Sequence, residues 1–525
     1  GGLGGAINIS NQVEWDDPFG MKYMQGIGSY QTFDEFLQIH GGNRKIQAKT
    51  RLYHNYSKNN FTFTNHSIGD LNPDGEIIYP TDTNKNADYT RYGALQEIYF
   101  RPANDDVLSL KWWGQSSERS LPRIASYEGS IASDNANLNQ QHSTDHKILA
   151  NWKHYGDKDK LNLQLGYSQK DMKYALKNFV PGQGLQNDVY SVSTQKSFLN
   201  SISYNYEINS SWSVQTSLDV NWYDVASEDT VRNTGYEKNR QELSAFLSVQ
   251  KSFAERLNLK LMLRQDRVDE EFAPLIPYLG FDFKPFKEHE LIVRGNIARN
   301  YHQPSLNDLY WQPGGNPDLL PEEGFSVEGG LEYSKTLKKM TIQSELTIYR
   351  SDINNWIIWV PSYKGYWEPK NIQRVLSKGL ELGIRLNGKS GELGYKASGN
   401  YAYTRSVNYG DRKVWGDDSY GKQLVYVPVH SGNAMIKLSY RKFFISYQHN
   451  SYSERFTTSS NDVSRRNRLY PYFMNNLSLG KKLQWTGFTI SGELKIYNLF
   501  DESYHSVLFR PMPGRNYMLM LMISF

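Results

Sequence analysis

The 525-residue chain carries 59 basic and 55 acidic residues mixed along its length, for a formal net charge of +4; no basic block marks a nucleic-acid footprint. It has no cysteine, which removes disulfides, thiol nucleophiles and thiolate metal sites. Mean hydropathy is −0.66, and the longest apolar runs, Trp356–Pro361 and Met518–Ile523, fall far short of the roughly 18 residues of a spanning helix, so a helical membrane protein is excluded.

A membrane barrel survives that test, because only alternate residues of its strands meet lipid and the average hydropathy stays low. Aromatics make up 14% of the chain, with 38 Tyr and 12 Trp, and barrels gather Tyr and Trp in girdles at both interfaces. In chain order, a glycine-rich start, Gly1–Ile9, holds one short strand. An irregular Trp-Asp-Asp-Pro-Phe-Gly link follows, and barrel strands are expected from residue 24 to the end. Composition alone also allows residues 1–23 to be a flexible leader.

Period-two alternation then recurs to the last residue. Leu161, Leu163, Leu165 and Tyr167 alternate with Asn162, Gln164, Gly166 and Ser168. Trp212, Val214, Leu218, Val220 and Trp222 alternate with Ser213, Gln215, Ser217, Asp219 and Asn221. Leu380, Leu382, Ile384 and Leu386 form a third set, and Leu393, Tyr395, Ala397, Tyr401 and Tyr403 a fourth. A sandwich would share the alternation; apolar faces ending in Trp, as at Trp212 and Trp222, favour a barrel with a polar lumen.

Connections alternate in length. Tight turns are expected at Gly41-Gly42-Asn43, Gly156-Asp157, Asn209-Ser210, Asn387-Gly388 and Arg441-Lys442, and long polar loops at 67–89, 119–144, 174–190, 225–239, 302–321, 406–430 and 454–468. Short turns on one side and long loops on the other match periplasmic and extracellular connections, and about 21 strand-like runs, with the even strand number of bacterial single-chain barrels, give 22 antiparallel strands. At the end, Tyr517, Leu519, Leu521, Ile523 and Phe525 share one face. An apolar alternate register closing on Phe is similar to the signal that outer-membrane barrels present to their insertion machinery.

Three segments, in order, resemble the TonB-dependent outer-membrane receptors. Gly1–Ile9 resembles the end of their plug domain. Asn300–Trp311 followed by Gly314–Glu322 resembles a mid-barrel loop whose matching positions are Pro304, Leu309, Tyr310, Gly315, Asn316, Pro317, Pro321 and Glu322. Asn498–Tyr504 with Gly514–Tyr517 resembles the last two strands. The resemblance implies an all-β transmembrane barrel in the Gram-negative outer membrane, with 1–10 the last plug strand, 11–23 a linker and 24–525 the barrel. It further implies energised import driven by the TonB complex acting through a plug and an N-terminal TonB box; here the plug is almost entirely missing from the sequence.

Within that family, Tyr310-Trp311…Gly-Gly-Asn-Pro, Lys378–Glu381, Gln423–His430 and the Asn-Leu-Phe-Asp…Gly-Arg-x-Tyr ending are most similar to the cobalamin receptors of Bacteroidota. That likeness implies a corrinoid substrate and a surface-exposed substrate-binding lipoprotein partner. Siderophore or haem receptors share the framework and stand as the alternative. A passive porin is the reading from a different class. No Ser-His-Asp elbow, Walker loop or dinucleotide fingerprint appears in a fitting context, so no enzyme is expected.

Candidate ligand contacts are aromatic. Trp356, Trp359, Tyr363, Tyr366 and Trp367 could form an extracellular platform for a large, partly apolar ligand; alternatively Trp356 and Trp359 belong to the outer girdle. Trp415 and Tyr420 sit in a long polar loop and are candidates for a ligand or the lipoprotein. Asp70, Asp74, Glu76, Asp82 and Asp88 could supply calcium ligands, although a solvated loop accounts for them, and no other metal or cofactor is expected. His142 and His146 are read as a solvated loop, and His302 is a poor match to a haem-ligand motif.

Overall fold

A computed structural model describes residues 11 and 13–525, apart from 67–68, 123–124, 126–136, 289, 362–365, 411–417 and 465–466. The expected last plug strand at 1–10, Tyr363 and Trp415 lie outside the described residues.

The alternation builds one closed antiparallel sheet. Its strands are β1 (Phe19–Gly28), β2 (Thr32–Gly42), β3 (Ile46–Ser57), β4 (Tyr89–Phe100), β5 (Asp106–Ser120), β6 (Asn137–Tyr155), β7 (Asp159–Val180) and β8 (Gly184–Asn209). Next come β9 (Trp212–Asp229), β10 (Thr234–Phe253), β11 (Leu257–Val268), β12 (Ile276–Phe283), β13 (Glu290–His302), β14 (Glu322–Leu337), β15 (Met340–Pro361) and β16 (Trp367–Ser390). The circuit is completed by β17 (Leu393–Asn408), β18 (His430–Tyr440), β19 (Phe443–Tyr452), β20 (Tyr472–Trp485), β21 (Phe488–Tyr497) and β22 (Asn516–Ser524). The sheet holds 23 hydrogen-bonded segments; the two-residue Glu271–Phe272 pairs only with β11, which leaves 22 wall strands among the described residues. β22 pairs with β21 on one edge and with β1 on the other, Ile27 opposite Leu519 and Tyr23 opposite Ile523. That seam leaves no open edge, the condition under which a sheet can cross hydrocarbon with its backbone groups satisfied.

Side-chain direction follows the pleat. On β9, Trp212, Leu218 and Trp222 point outward and are exposed, as a lipid-facing surface requires. On β10 the opposite set, Arg240, Ser244 and Ser248, is buried on the inner side. Tyr517, Leu519, Leu521 and Phe525 are exposed together on the outer face of the closing strand and its end, and Met518 on the other face is buried.

Four local expectations change. The first wall strand begins at Phe19 rather than residue 24, and the segment before it is pinned to the periplasmic rim. There the Gln47 side-chain amide donates to the Glu14 and Asp17 carbonyls, His40 meets Asp17 at 3.0 Å, and Arg101 lies over the Trp15 ring. Asn387-Gly388 is not a turn: both residues pair inside β16, and the reversal comes at Gly391, whose φ of +59° suits a residue without a Cβ. The stretches 174–190 and 225–239 are mostly strand, because β7 to β10 continue past the membrane to tight reversals. His142 and His146 likewise belong to β6, where His146 stacks on Trp112 at 6.2 Å.

Candidate functional site: an aromatic cavity at the extracellular mouth

A bilayer-crossing strand needs about 9–11 residues. β7, β8, β15 and β16 have 22, 26, 22 and 24, so they stand well above the membrane as tall walls. The loop between β13 and β14 spans the space between these walls. It opens with a short helix, α1 (Leu306–Tyr310), whose N-cap Ser305 and Asp308 form a reciprocal capping box. Asp308 also accepts from the indole Nε1 of Trp359 at 2.8 Å. One carboxylate thus starts the helix and orients a wall tryptophan.

Every residue of the family-like loop that could be placed has a structural task. Pro304 is fully buried. Leu309 and Tyr310 form the end of α1, with Tyr310 packed 6.3 Å from Tyr236 and under Lys238. Gly314 has φ +119° and sits against the Trp367 carbonyl and the Tyr366 ring, where a Cβ has no room. The Gly315 amide donates to the Trp311 carbonyl. The Asn316 amide donates to the Asp308 carbonyl, and its side chain reaches the Pro369 carbonyl at 3.4 Å. Pro317 lies in the turn that follows, and the Pro321 carbonyl accepts from Asn355. Glu322 is buried, and its carboxylate accepts the Ile357 amide at 2.7 Å.

The loop, the β15–β16 hairpin and the inner faces of β6 to β10 enclose a cavity of about 410 Å³. Trp311, Trp359, Tyr366, Trp367, Tyr174 and Tyr236 give it an aromatic lining, with Met172 and Pro313 beside them. A second cavity of about 370 Å³ shares Met172, Ser227, Tyr236 and Trp311 with the first and continues toward Lys170, Arg240 and Glu242. The floor between them is polar: Ser193 and Ser227 hydroxyls lie 2.7 Å apart. Rings on several sides, with Gln141, Gln312 and the paired Asp229 and Arg232 as polar groups at the edge, suit an organic ligand.

Three of the proposed contacts, Trp359, Tyr366 and Trp367, are brought together here. Trp356 is not, because an odd number of positions separates it from Trp359 and places it on the opposite face of β15. Tyr420 is elsewhere too, packed edge-on against Tyr409 at 5.5 Å. The sequence reading missed Tyr174, Tyr236, Met172 and Arg240. Their available signal was register: Tyr236 and Arg240 share the parity of the inner-face serines Ser244 and Ser248.

Metal ligation does not coincide with this cavity. Among the described residues, Glu14, Asp17 and His40 form the cluster close enough to share an ion, and it lies at the periplasmic rim. Among the described residues the acidic loop forms no ion-binding cluster: Asp82 accepts its neighbour Thr83 amide, and Asp74 and Glu76 donate their amides to Asn72.

On the other side of the mouth, loops pack on one another. Asp462 is held below the usual carboxylate value by hydrogen bonds from Asn467 and then Ser464. Burial, and then nearby His66, push His505 below its ordinary value.

Comparison with known proteins accords with this architecture. Residues 55–499 match the family model described as TonB dependent receptor-like, beta-barrel. The chain belongs to the TonB-dependent receptors. This is a family of receptors and transporters of the Gram-negative outer membrane, not of enzymes. It is 28% identical over 224 residues to a vitamin B12 transporter BtuB of Photobacterium profundum, covering 41% of this chain and 32% of that protein. It is 32% identical over 105 residues to a BtuB of Vibrio vulnificus, covering 20% of this chain and 16% of that protein. The chain therefore aligns with about a third or less of these relatives' length. Among solved structures, the siderophore receptor PirA from Acinetobacter baumannii superposes with a TM-score of 0.74 at 14% identity, covering 98% of this chain and 81% of PirA. The copper transporter OprC superposes with a TM-score of 0.73 at 14% identity, covering 97% and 80%. At such identities these two likenesses establish the fold alone.

Proposed function

We propose that this receptor imports a large, partly planar solute captured in the aromatic cavity, and that the solute is cobalamin or another corrinoid. The observation that carries the reading is the convergence of Trp311, Trp359, Tyr366 and Trp367 on one cavity at the extracellular mouth. Ring faces take a flat, partly apolar body without demanding a matched polar partner on every side. The vitamin B12 transporters among the relatives support the choice of solute.

Transport is driven by the TonB complex pulling on a plug domain. A surface-exposed lipoprotein delivers substrate to the rim built by the tall β7–β8 and β15–β16 hairpins. The barrel itself is seated in outer-membrane lipid through its girdled outer face. Co-purification from outer membranes tests the lipoprotein, and closure in a planar bilayer, with no steady ohmic current, tests the plugged state against a porin.

The direct test is calorimetric titration of cyanocobalamin into full-length receptor, with haem and ferric siderophores in parallel. Saturable cyanocobalamin binding is expected, weakened about tenfold in Trp311→Ala, the equivalent of about 1.4 kcal/mol. Binding of haem or a siderophore in place of cyanocobalamin would remove the corrinoid assignment and keep the receptor.

A further inference from the structure

We infer that Arg240 is an anchor for a phosphate-type anion carried by the imported solute, so that the site has an aromatic compartment and a cationic one. The inference rests on the reading of this cavity as the solute site. Arg240 projects from the inner face of β10 into the second cavity and is only 7% exposed. Its Nε has no hydrogen-bond partner, and among the described residues its guanidinium has neither an ion pair nor a side-chain hydrogen bond.

Only the Nε is sealed from solvent; the terminal nitrogens open onto the cavity and meet no protein acceptor among the described residues. Arginine stays charged in proteins and offers five donors in a planar fork, and buried charges are ordinarily paired. In this structure none of the neighbouring polar groups partners it, and three of the hydroxyls bond elsewhere. Ser193 bonds Ser227 at 2.7 Å, Thr194 bonds Asp171 at 2.7 Å, and Ser305 bonds Asp308 at 2.6 Å. Glu242, the one carboxylate lining this cavity, lies near Tyr223, adds to burial in raising the proton affinity of its hydroxyl, and forms no ion pair with Arg240. Lys170 adds a second cation at the rim. The cavity is thus net positive and continuous with the aromatic one through Tyr236 and Trp311.

A planar fork beside a point cation suits an oxyanion with several acceptor oxygens, which guanidinium can grip by two parallel hydrogen bonds. Tyr236 and Trp311 border both compartments. The ligand class is therefore a phosphate ester whose organic part stacks next door.

The probe is phenyl phosphate, titrated into full-length receptor and followed by the fluorescence of the cavity tryptophans, with phenol as the neutral control and inorganic phosphate as competitor. Saturable phenyl phosphate binding is expected, at least tenfold weaker in Arg240→Gln and intermediate in Arg240→Lys, which keeps the charge and loses the fork. Phenol binding and the melting temperature should be the same in all three proteins, since Arg240 has no internal partner to lose. No phenyl phosphate binding to wild type, or equal binding to Arg240→Gln, would overturn the anchor. Inorganic phosphate competing as well as phenyl phosphate would also overturn it, because the recognised anion would then be free and not solute-borne. Failure of cyanocobalamin to bind, with phenyl phosphate binding and its Arg240 dependence intact, removes the corrinoid and leaves the anchor standing.

Discussion

Two buried arginines at opposite sides of the mouth are each 7% exposed, and their surroundings could hardly differ more. Arg455, on the loop-packed side, donates through its two terminal nitrogens to the His505 and Ser506 carbonyls at 3.0 Å and lies over the Tyr472 ring. Around it Asn498 is almost fully buried, bonding the Glu502 and Pro513 carbonyls and accepting the Glu502 amide. Arg240, on the hairpin side, faces a cavity and has no such partner. Burial alone does not distinguish a structural cation from a functional one; the hydrogen bonds it makes do. The loop side engages both terminal nitrogens of its arginine, leaving only the Arg455 Nε of that guanidinium without a partner. The hairpin side keeps rings and an unpaired charge turned toward a space.

The contrast breaks first at Arg455. Arg455→Met keeps the apolar stem and removes two charge-assisted hydrogen bonds to loop carbonyls, a loss of about 3 kcal/mol in local stability. Protease cleavage within 498–515 should rise on the order of a hundredfold, with solute binding in the hairpin cavity nearly unchanged. Cleavage at the wild-type rate would mean that the loop side is held by something other than Arg455. It would also erase the distinction from Arg240, whose substitution is expected to change binding and leave melting alone.

A smaller effect is expected on the cavity side itself. Trp359→Phe retains a ring but deletes the indole donor to Asp308, at a cost of about 1 kcal/mol. Asp308 keeps its capping bonds to Ser305, so α1 should persist. The expected result is a solute affinity lowered by roughly fivefold, with little change in melting. An unaffected affinity would show that Trp359 merely seals the wall.

The barrel was legible because lipid and lumen impose opposite demands on alternate residues. Trp212–Trp222 and Tyr517–Phe525 record both faces in a few letters. Above the membrane both faces of a strand meet water, the period fades, and 174–190 and 225–239 look like loops although they are paired. Asn387-Gly388 misled for a related reason: a turn-forming pair says what the backbone can do, and ladder bonds to Thr341 and Lys396 decide otherwise. The aromatic-rich stretch 356–367 could be seen as a candidate site. That Trp359, Tyr366 and Trp367 meet Trp311 while Trp356 turns away could not, because it depends on strand register and on where the 303–321 loop folds. Arg240 was invisible for the plainest reason. In sequence it is one more basic residue on a polar face, and its lack of a partner is a property of the assembled walls.

The smallest expected effect, and the one that tests whether the loop side is as self-contained as its hydrogen bonds suggest, is its response to acid. His505 lies in the extracellular loop between β21 and β22, and burial, then the proximity of His66, depress its proton affinity. Its ordinary value is about 6.5. When the loop opens, the ring regains that value and binds a proton that the closed loop resists. Between the depressed and the ordinary value the open state therefore holds more protons, and closed-loop stability rises with pH. The closed form is fully favoured above about pH 6.5 and weakens as pH falls below it. Hydrogen exchange of the 498–515 amides, corrected for intrinsic rates, should show protection falling from pH 7 to pH 5. In His505→Phe the fall should flatten. The hairpin cavity should not follow it, and a matching loss of solute binding over the same pH range would show that the two sides of the mouth are coupled after all.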